Sequence, residues 1–110
     1  MTRKRRSDRN HIVYKITLNA QEYIGVTAVE KRNPEYSAKR RWQKHVSRAK
    51  REDKNWKLYE MIRKYGPEKF QISVVQVVRG KSAAHTVERQ LIRERKPKLN
   101  TDVRVKQVRA

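Results

Sequence analysis

Between His11 and Thr27 the apolar positions fall on every second residue. Ile12, Tyr14, Ile16 and Leu18 alternate with His11, Val13, Lys15 and Thr17, the period of two that a pleated strand imposes. Leu18-Asn19-Ala20-Gln21 interrupts the run, and Asn19 suits the unusual backbone angles of a tight turn. A second strand over Glu22 to Thr27 contains Tyr23-Ile24-Gly25. The stretch predicts a hairpin with Tyr14 and Tyr23 on neighbouring strands.

After a connection over residues 28–33 the period lengthens to that of a helix. Asn33-Pro34 offers a start, with Asn capping and Pro in the first turn, and Ser37 is a second possible cap. The helix runs to about Lys50, with Ala38, Trp42, Val46 and Ala49 on one stripe. Arg41 and His45, four apart, flank that stripe and are expected at the edge of the core. Past the polar break at residues 51–54, Asp53 or Asn55 can cap a second helix of about residues 55–65. Its inner stripe is Leu58, Tyr59, Ile62 and Tyr65, and Gly66-Pro67 ends it. Phe70 to Val78 predicts a strand, its β-branched content favouring cover on part of both faces. Arg79-Gly80-Lys81 is a turn, and Ser82 can cap a third helix of about residues 83–95. Ala84, Val87, Leu91 and Ile92 form its inner face, and Glu88 falls within the same arc. Pro97 ends this helix, and Leu99 docks in the short extended piece that follows.

The order β-β-α-α-β-α predicts an α/β (α+β) fold: a small three-stranded mixed sheet with a β-hairpin and about three flanking helices. A chain of 110 residues makes one domain. It divides into a basic arm (1–10), a folded body (11–101) and a basic tail (102–110).

Charge narrows the class of partner. The formal net charge is +19, which attracts a polyanion, with nucleic acid ahead of an acidic membrane surface. Arg5 and Arg6 in the arm, and Lys39, Arg40, Lys44 and Arg48 on the first helix, are the candidate phosphate contacts. There is no cysteine, so disulfides and thiolate metal sites are excluded. No apolar run approaches a membrane span and no signal-peptide core follows the basic start, so a soluble cytoplasmic protein is expected.

Taken one at a time, the candidate chemical groups have ordinary explanations. Tyrosines in a hairpin usually pack, an Arg and a His on a basic helix usually face solvent or phosphate, and a carboxylate on an apolar face is usually ion-paired. Together they form a pattern. Val13-Tyr14, Tyr23-Ile24-Gly25, Arg41-Trp42-Gln43-Lys44-His45, Glu88 and Asn100 occur in the order and spacing of the GIY-YIG nucleases, and Lys64-Tyr65-Gly66-Pro67 before a strand also resembles that family. The resemblance covers about residues 11–100 and is nearest to phage and intron homing endonuclease modules. One departure stands out: Ile12 occupies the position, two before the first motif tyrosine, where the family usually has glycine.

The resemblance implies hydrolysis of a DNA phosphodiester with one divalent metal, Mg2+ or a substitute such as Mn2+. By position, Glu88 would bind the metal, Tyr14 would contact or activate the attacking water, and Tyr23 would orient the site. Arg41 would hold the phosphate, His45 would assist near the nucleophile, and Asn100 would brace the site. All five of Tyr14, Tyr23, Arg41, His45 and Glu88 are expected to line one cleft. A free-standing homing-type nuclease, phage-encoded and acting in the host cytoplasm, would have limited sequence choice of its own, or a partner protein would target it. Two alternatives remain: a non-catalytic basic protein binding RNA or the ribosome, and a repair or recombination nuclease on branched DNA.

Overall fold

The computed structural model describes residues 9–51 and 56–100. Strands β1 (Asn10–Leu18) and β2 (Gln21–Ala28) form the hairpin, and helices α1 (Pro34–Arg51) and α2 (Lys57–Tyr65) follow. A single 3-10 turn, Pro67–Lys69, leads into β3 (Gln71–Arg79) and then α3 (Lys81–Arg95). The predicted element order and the α+β class are those of the structure. Residues 1–8 of the basic arm, the tail, and Arg5, Arg6, Asp53 and Asn55 lie outside the described residues; Asn10, assigned to the arm by the sequence, instead opens β1 and accepts from the Val29 N–H.

The sheet order is β2-β1-β3, and both pairs are antiparallel. It is therefore antiparallel throughout, where the sequence predicted a mixed sheet. The reason is where the two helices deliver the chain: β2 ends beside His11, but β3 enters beside Thr17 and so runs against β1. Asn19 takes the left-handed conformation (φ 54°) that the hairpin turn requires.

The alternation in β1 separates two faces. Ile12, Tyr14, Ile16 and Leu18 join Ala38 and Ala49 of α1, Leu58, Tyr59 and Ile62 of α2, and Phe70 and Leu99 in one buried cluster. Ile12 is fully buried there, so the residue at the family's usual glycine position packs as a core side chain. Val13 and Ile24 point to the other face and are also buried. Helix α3 crosses all three strands, and its buried Ala84 and its Arg95, bonded to Glu22, place it over that second face.

Local details decide the ends of the elements. Asn33 caps α1, its Oδ1 accepting from the Tyr36 N–H at 3.0 Å. Ser37 instead lies inside the helix, where its hydroxyl accepts from the Glu30 N–H and donates to the Asn33 carbonyl. Ser82 is not the cap of α3: the helix begins two residues earlier, after Gly80, whose φ of 96° strongly favours a residue without Cβ. Tyr65 is exposed, so the α2 stripe ends at Ile62. Strand β3 is covered on part of both faces, by α1 on one and by α3 on the other. It is an edge strand, bulged where Val13 pairs with Gln76 but Tyr14 pairs with Val74, and Val75 and Val77 are 44% and 46% exposed.

Candidate active site

The hairpin register places the tyrosines. Tyr14 stands opposite Gly25, and Ile16 opposite Tyr23, so both phenols lie on the α1 face with ring centres 6.1 Å apart. Gly25 makes room for them. A Cβ at that position would lie 2.6 Å from the Tyr14 hydroxyl oxygen and 3.0 Å from the Tyr23 ring. The glycine of the second motif is thus a packing requirement of the first tyrosine.

Helix α1 supplies the next two groups. His45 is 3% exposed, buried rather than at the edge of the core. A helical wheel places it beside the apolar stripe, but its ring satisfies its polarity on other elements. Its Nε2 lies 2.8 Å from the Tyr14 hydroxyl and its Nδ1 3.4 Å from the Tyr59 hydroxyl. Its ring also meets Tyr23 edge-on, 5.3 Å between centres. Arg41, one turn earlier, is half-buried, and its Nε is buried with no hydrogen-bond partner. An orphaned guanidinium donor is costly unless a ligand satisfies it.

Burial dominates the electrostatics. It drives His45 down to about 3, with the positive charges of Arg41 and Arg48 adding to the effect. The imidazole is therefore neutral, able to donate from one nitrogen and accept at the other. Burial pushes Tyr14 well above the ordinary phenol value, and the neighbouring Tyr23 adds to this. Arg41 pulls Tyr14 the other way without overcoming burial. Tyr23 is raised too, mainly by burial and in smaller part by the negative charge of Glu88, while the Tyr14 hydroxyl and Arg41 oppose the rise. Both phenols are protonated at neutral pH.

Glu88 projects from α3, partly exposed, and acts on Tyr23 through its charge. Its direct partner is on its own helix: the His85 Nδ1 lies 3.0 Å from Oε1. Asn100 braces the site from outside the sheet. Its Oδ1 accepts from the Ile24 N–H at 2.8 Å, and its Nδ2 donates to the Ile24 carbonyl at 2.9 Å. With the Leu99 N–H donating to the Glu22 carbonyl at 2.8 Å, the segment lies along the outer edge of β2.

One pocket opens beside this cluster, lined by Tyr23, His45, Trp56, Leu58, Tyr59, Leu99 and Asn100. The expectation of a single cleft lined by all five groups is corrected. Tyr23 and His45 line the pocket, Tyr14 is 1% exposed behind them, and Arg41 and Glu88 lie outside its lining. Tyr14 cannot meet bulk water here, because its ring is covered and its hydroxyl is engaged with His45. Of the candidate cations, Lys39, Arg40 and Lys44 are exposed and Arg48 half-buried. Arg40 lies 3.9 Å from the Glu30 carboxylate, and the Arg48 guanidinium is 5.7 Å from the Trp56 ring centre.

Sequence reading missed two members of the neighbourhood. Tyr59 counted as an apolar stripe residue, although the apolar face of α2 already faces α1, where a phenol can reach His45. His85 has no place in the motif pattern, although its i,i+3 spacing to Glu88 puts the two on one helix face. The donor chemistry suits magnesium, which commonly uses one or two carboxylates and fills its remaining positions with water and substrate phosphate. Glu88 offers one such carboxylate, and among the described residues no three His, Asp or Glu side chains converge. No family model, curated protein or solved structure matches the chain.

Proposed function

We propose that the chain is a metal-dependent DNA endonuclease of the GIY-YIG type. One observation carries the reading: Tyr14 and Tyr23 from the hairpin and His45 from α1 meet in one contacting cluster, and Arg41 keeps an unsatisfied donor beside it. The motif resemblance supplies the reaction, and the charge of +19 supplies the attraction to DNA.

In this reading Arg41 takes a phosphate oxygen, which satisfies its buried Nε and opposes the charge that develops in the transition state. Tyr23, at the pocket wall, holds the attacking water. Tyr14 sits behind it and donates to the neutral His45 Nε2, which holds the phenol in place, and the proton lost by the attacking water passes to solvent at the open pocket. Tyr59 receives the Nδ1 proton of His45 and fixes the tautomer. Asn100 keeps β2 in place, and Lys39, Arg40, Lys44 and Arg48 hold the strand backbone. Glu88 would hold a magnesium or manganese ion, which when bound supplies positive charge to the phosphoryl oxygens and leaving group.

Plasmid nicking with magnesium, with chelator and with Glu88→Ala tests the proposal. Magnesium-dependent nicking should fall by about a hundred-fold or more in Glu88→Ala while DNA binding survives. Equal cutting by both proteins would remove Glu88 from the mechanism. The second reading, a binding protein without catalysis, is favoured by the bond between Glu88 and His85 on one helix. Tight, salt-sensitive binding with no cutting would establish it. A survey of branched and linear substrates separates a repair nuclease from a homing-type one.

A further inference from the structure

The pocket beside Tyr23 has walls that the phosphodiester chemistry does not require. Trp56 stands at the entrance to α2, 37% exposed, with its ring centre 5.1 Å from that of Tyr59. The Arg48 guanidinium lies over the same indole. Leu99 forms an apolar wall and Tyr23 the wall nearest the hairpin. The half-open space between them is about 180 Å³, with aromatic rings on several sides and a cation at the rim. Asn100 is the one amide in the lining, and both ends of it are already bonded to the backbone of Ile24.

From this geometry we infer that the pocket receives an unpaired nucleobase of the DNA strand being cut. The inference rests on the nuclease reading for the position of that base, since Tyr23 and His45 belong both to the pocket and to the phosphodiester cluster. The occupant must be flat, to lie among rings, and attached to an anion, to approach a surface this basic. A base inside a duplex shows only its edge and cannot enter, so it must be extruded or already single-stranded. The Asn100 amide is held at each end by the Ile24 backbone and the rest of the lining is aromatic or aliphatic, so the pocket grips ring faces more than hydrogen-bonding edges. Stacking of that kind tolerates any base. The preferred substrate is then DNA with an unpaired or distorted position, in place of a defined sequence.

The test uses the full chain in chelator, so that nothing is cut, and two fluorescent duplexes. One carries a single bulged 2-aminopurine, and the other the same 2-aminopurine paired with thymine. Wild type should bind the bulged duplex between about five- and 160-fold more tightly, the span that one base-on-aromatic stack gives, and should quench its fluorescence. Trp56→Ala should abolish that preference and leave binding to the paired duplex unchanged, while Trp56→Phe should retain most of it. Equal wild-type affinity for the two duplexes would overturn the proposal, and so would a preference that survives Trp56→Ala. Tighter binding of a bulged RNA duplex would overturn the assignment to DNA. The magnesium nicking assay keeps the two readings apart. Cutting without the bulge preference rejects the pocket alone, and the preference without cutting rejects the nuclease alone.

Discussion

β2 and β3 are both edge strands of one sheet, and both are rich in β-branched residues, yet their edges are finished differently. Along β2 the chain returns on itself: Leu99 and Asn100 bond to the backbone of Glu22 and Ile24, and Arg95 grips the Glu22 carboxylate at 2.6 and 2.9 Å. Along β3 no strand pairs with the outer edge among the described residues, and Val75 and Val77 face solvent. The tyrosine cluster and the pocket lie on the closed side. Composition made both segments strands, and later chain segments decided which edge became rigid. A rigid edge is what a site needs to hold side chains in place, and the bulge in β3 is a usual way to blunt an edge left open.

The contrast is most easily broken at Gly25. Gly25→Ala drives a Cβ against the Tyr14 hydroxyl, and its chief target is a buried ring that is itself bonded to His45. Chemical denaturation should show a loss of at least about 3 kcal/mol, at the upper end for overpacking, and the Tyr14–His45 contact should go with it. Next comes acid. The folded His45 value of about 3 lies below the ordinary 6.5. Between those two values the unfolded chain binds a proton that the folded chain refuses. Stability should therefore fall as the pH drops through that window, by about 1.4 kcal/mol for each pH unit. His45→Gln should flatten this part of the profile measured by thermal melts.

Asn100→Ala removes both bonds to Ile24 while the Leu99 bond remains. The expected cost is about 1–2 kcal/mol, with faster hydrogen exchange at the Ile24 amide and little change along β3. The smallest effect belongs to the open edge. Val77→Thr, on an exposed position, should change stability by less than about 0.5 kcal/mol. If Val77→Thr proved as damaging as Asn100→Ala, the difference between the two edges would be wrong.

The elements were legible in the sequence because each carried a local signal: alternation in β1, Asn33-Pro34 at the start of α1, Gly66-Pro67 after α2. What the sequence hid was relational. His45 is polar by type, and only the arrival of Tyr14 from β1 and Tyr59 from α2 makes its burial tolerable. Valines in β3 announce a strand but not its place in the sheet, and that place left Val75 and Val77 uncovered. The site residues were named from a pattern spread over the chain, and periodicity alone would have left Tyr14 and Tyr23 as packing. Their depths, with Tyr14 behind and Tyr23 in front, follow from Gly25 and the strand register, which no local window shows.

The bond between Asn100 and Ile24 joins residues 76 apart in sequence. During synthesis the hairpin can zip early, since its contacts are local and hairpins close in microseconds. The pocket wall cannot. It waits for residue 100 to be made and released, when almost all of the folded body already exists. The tyrosine pair is thus set first and the pocket completed last, by a segment with no helix or strand of its own. A chain interrupted before that point would hold the tyrosines and the histidine and still lack one side of the place where they act.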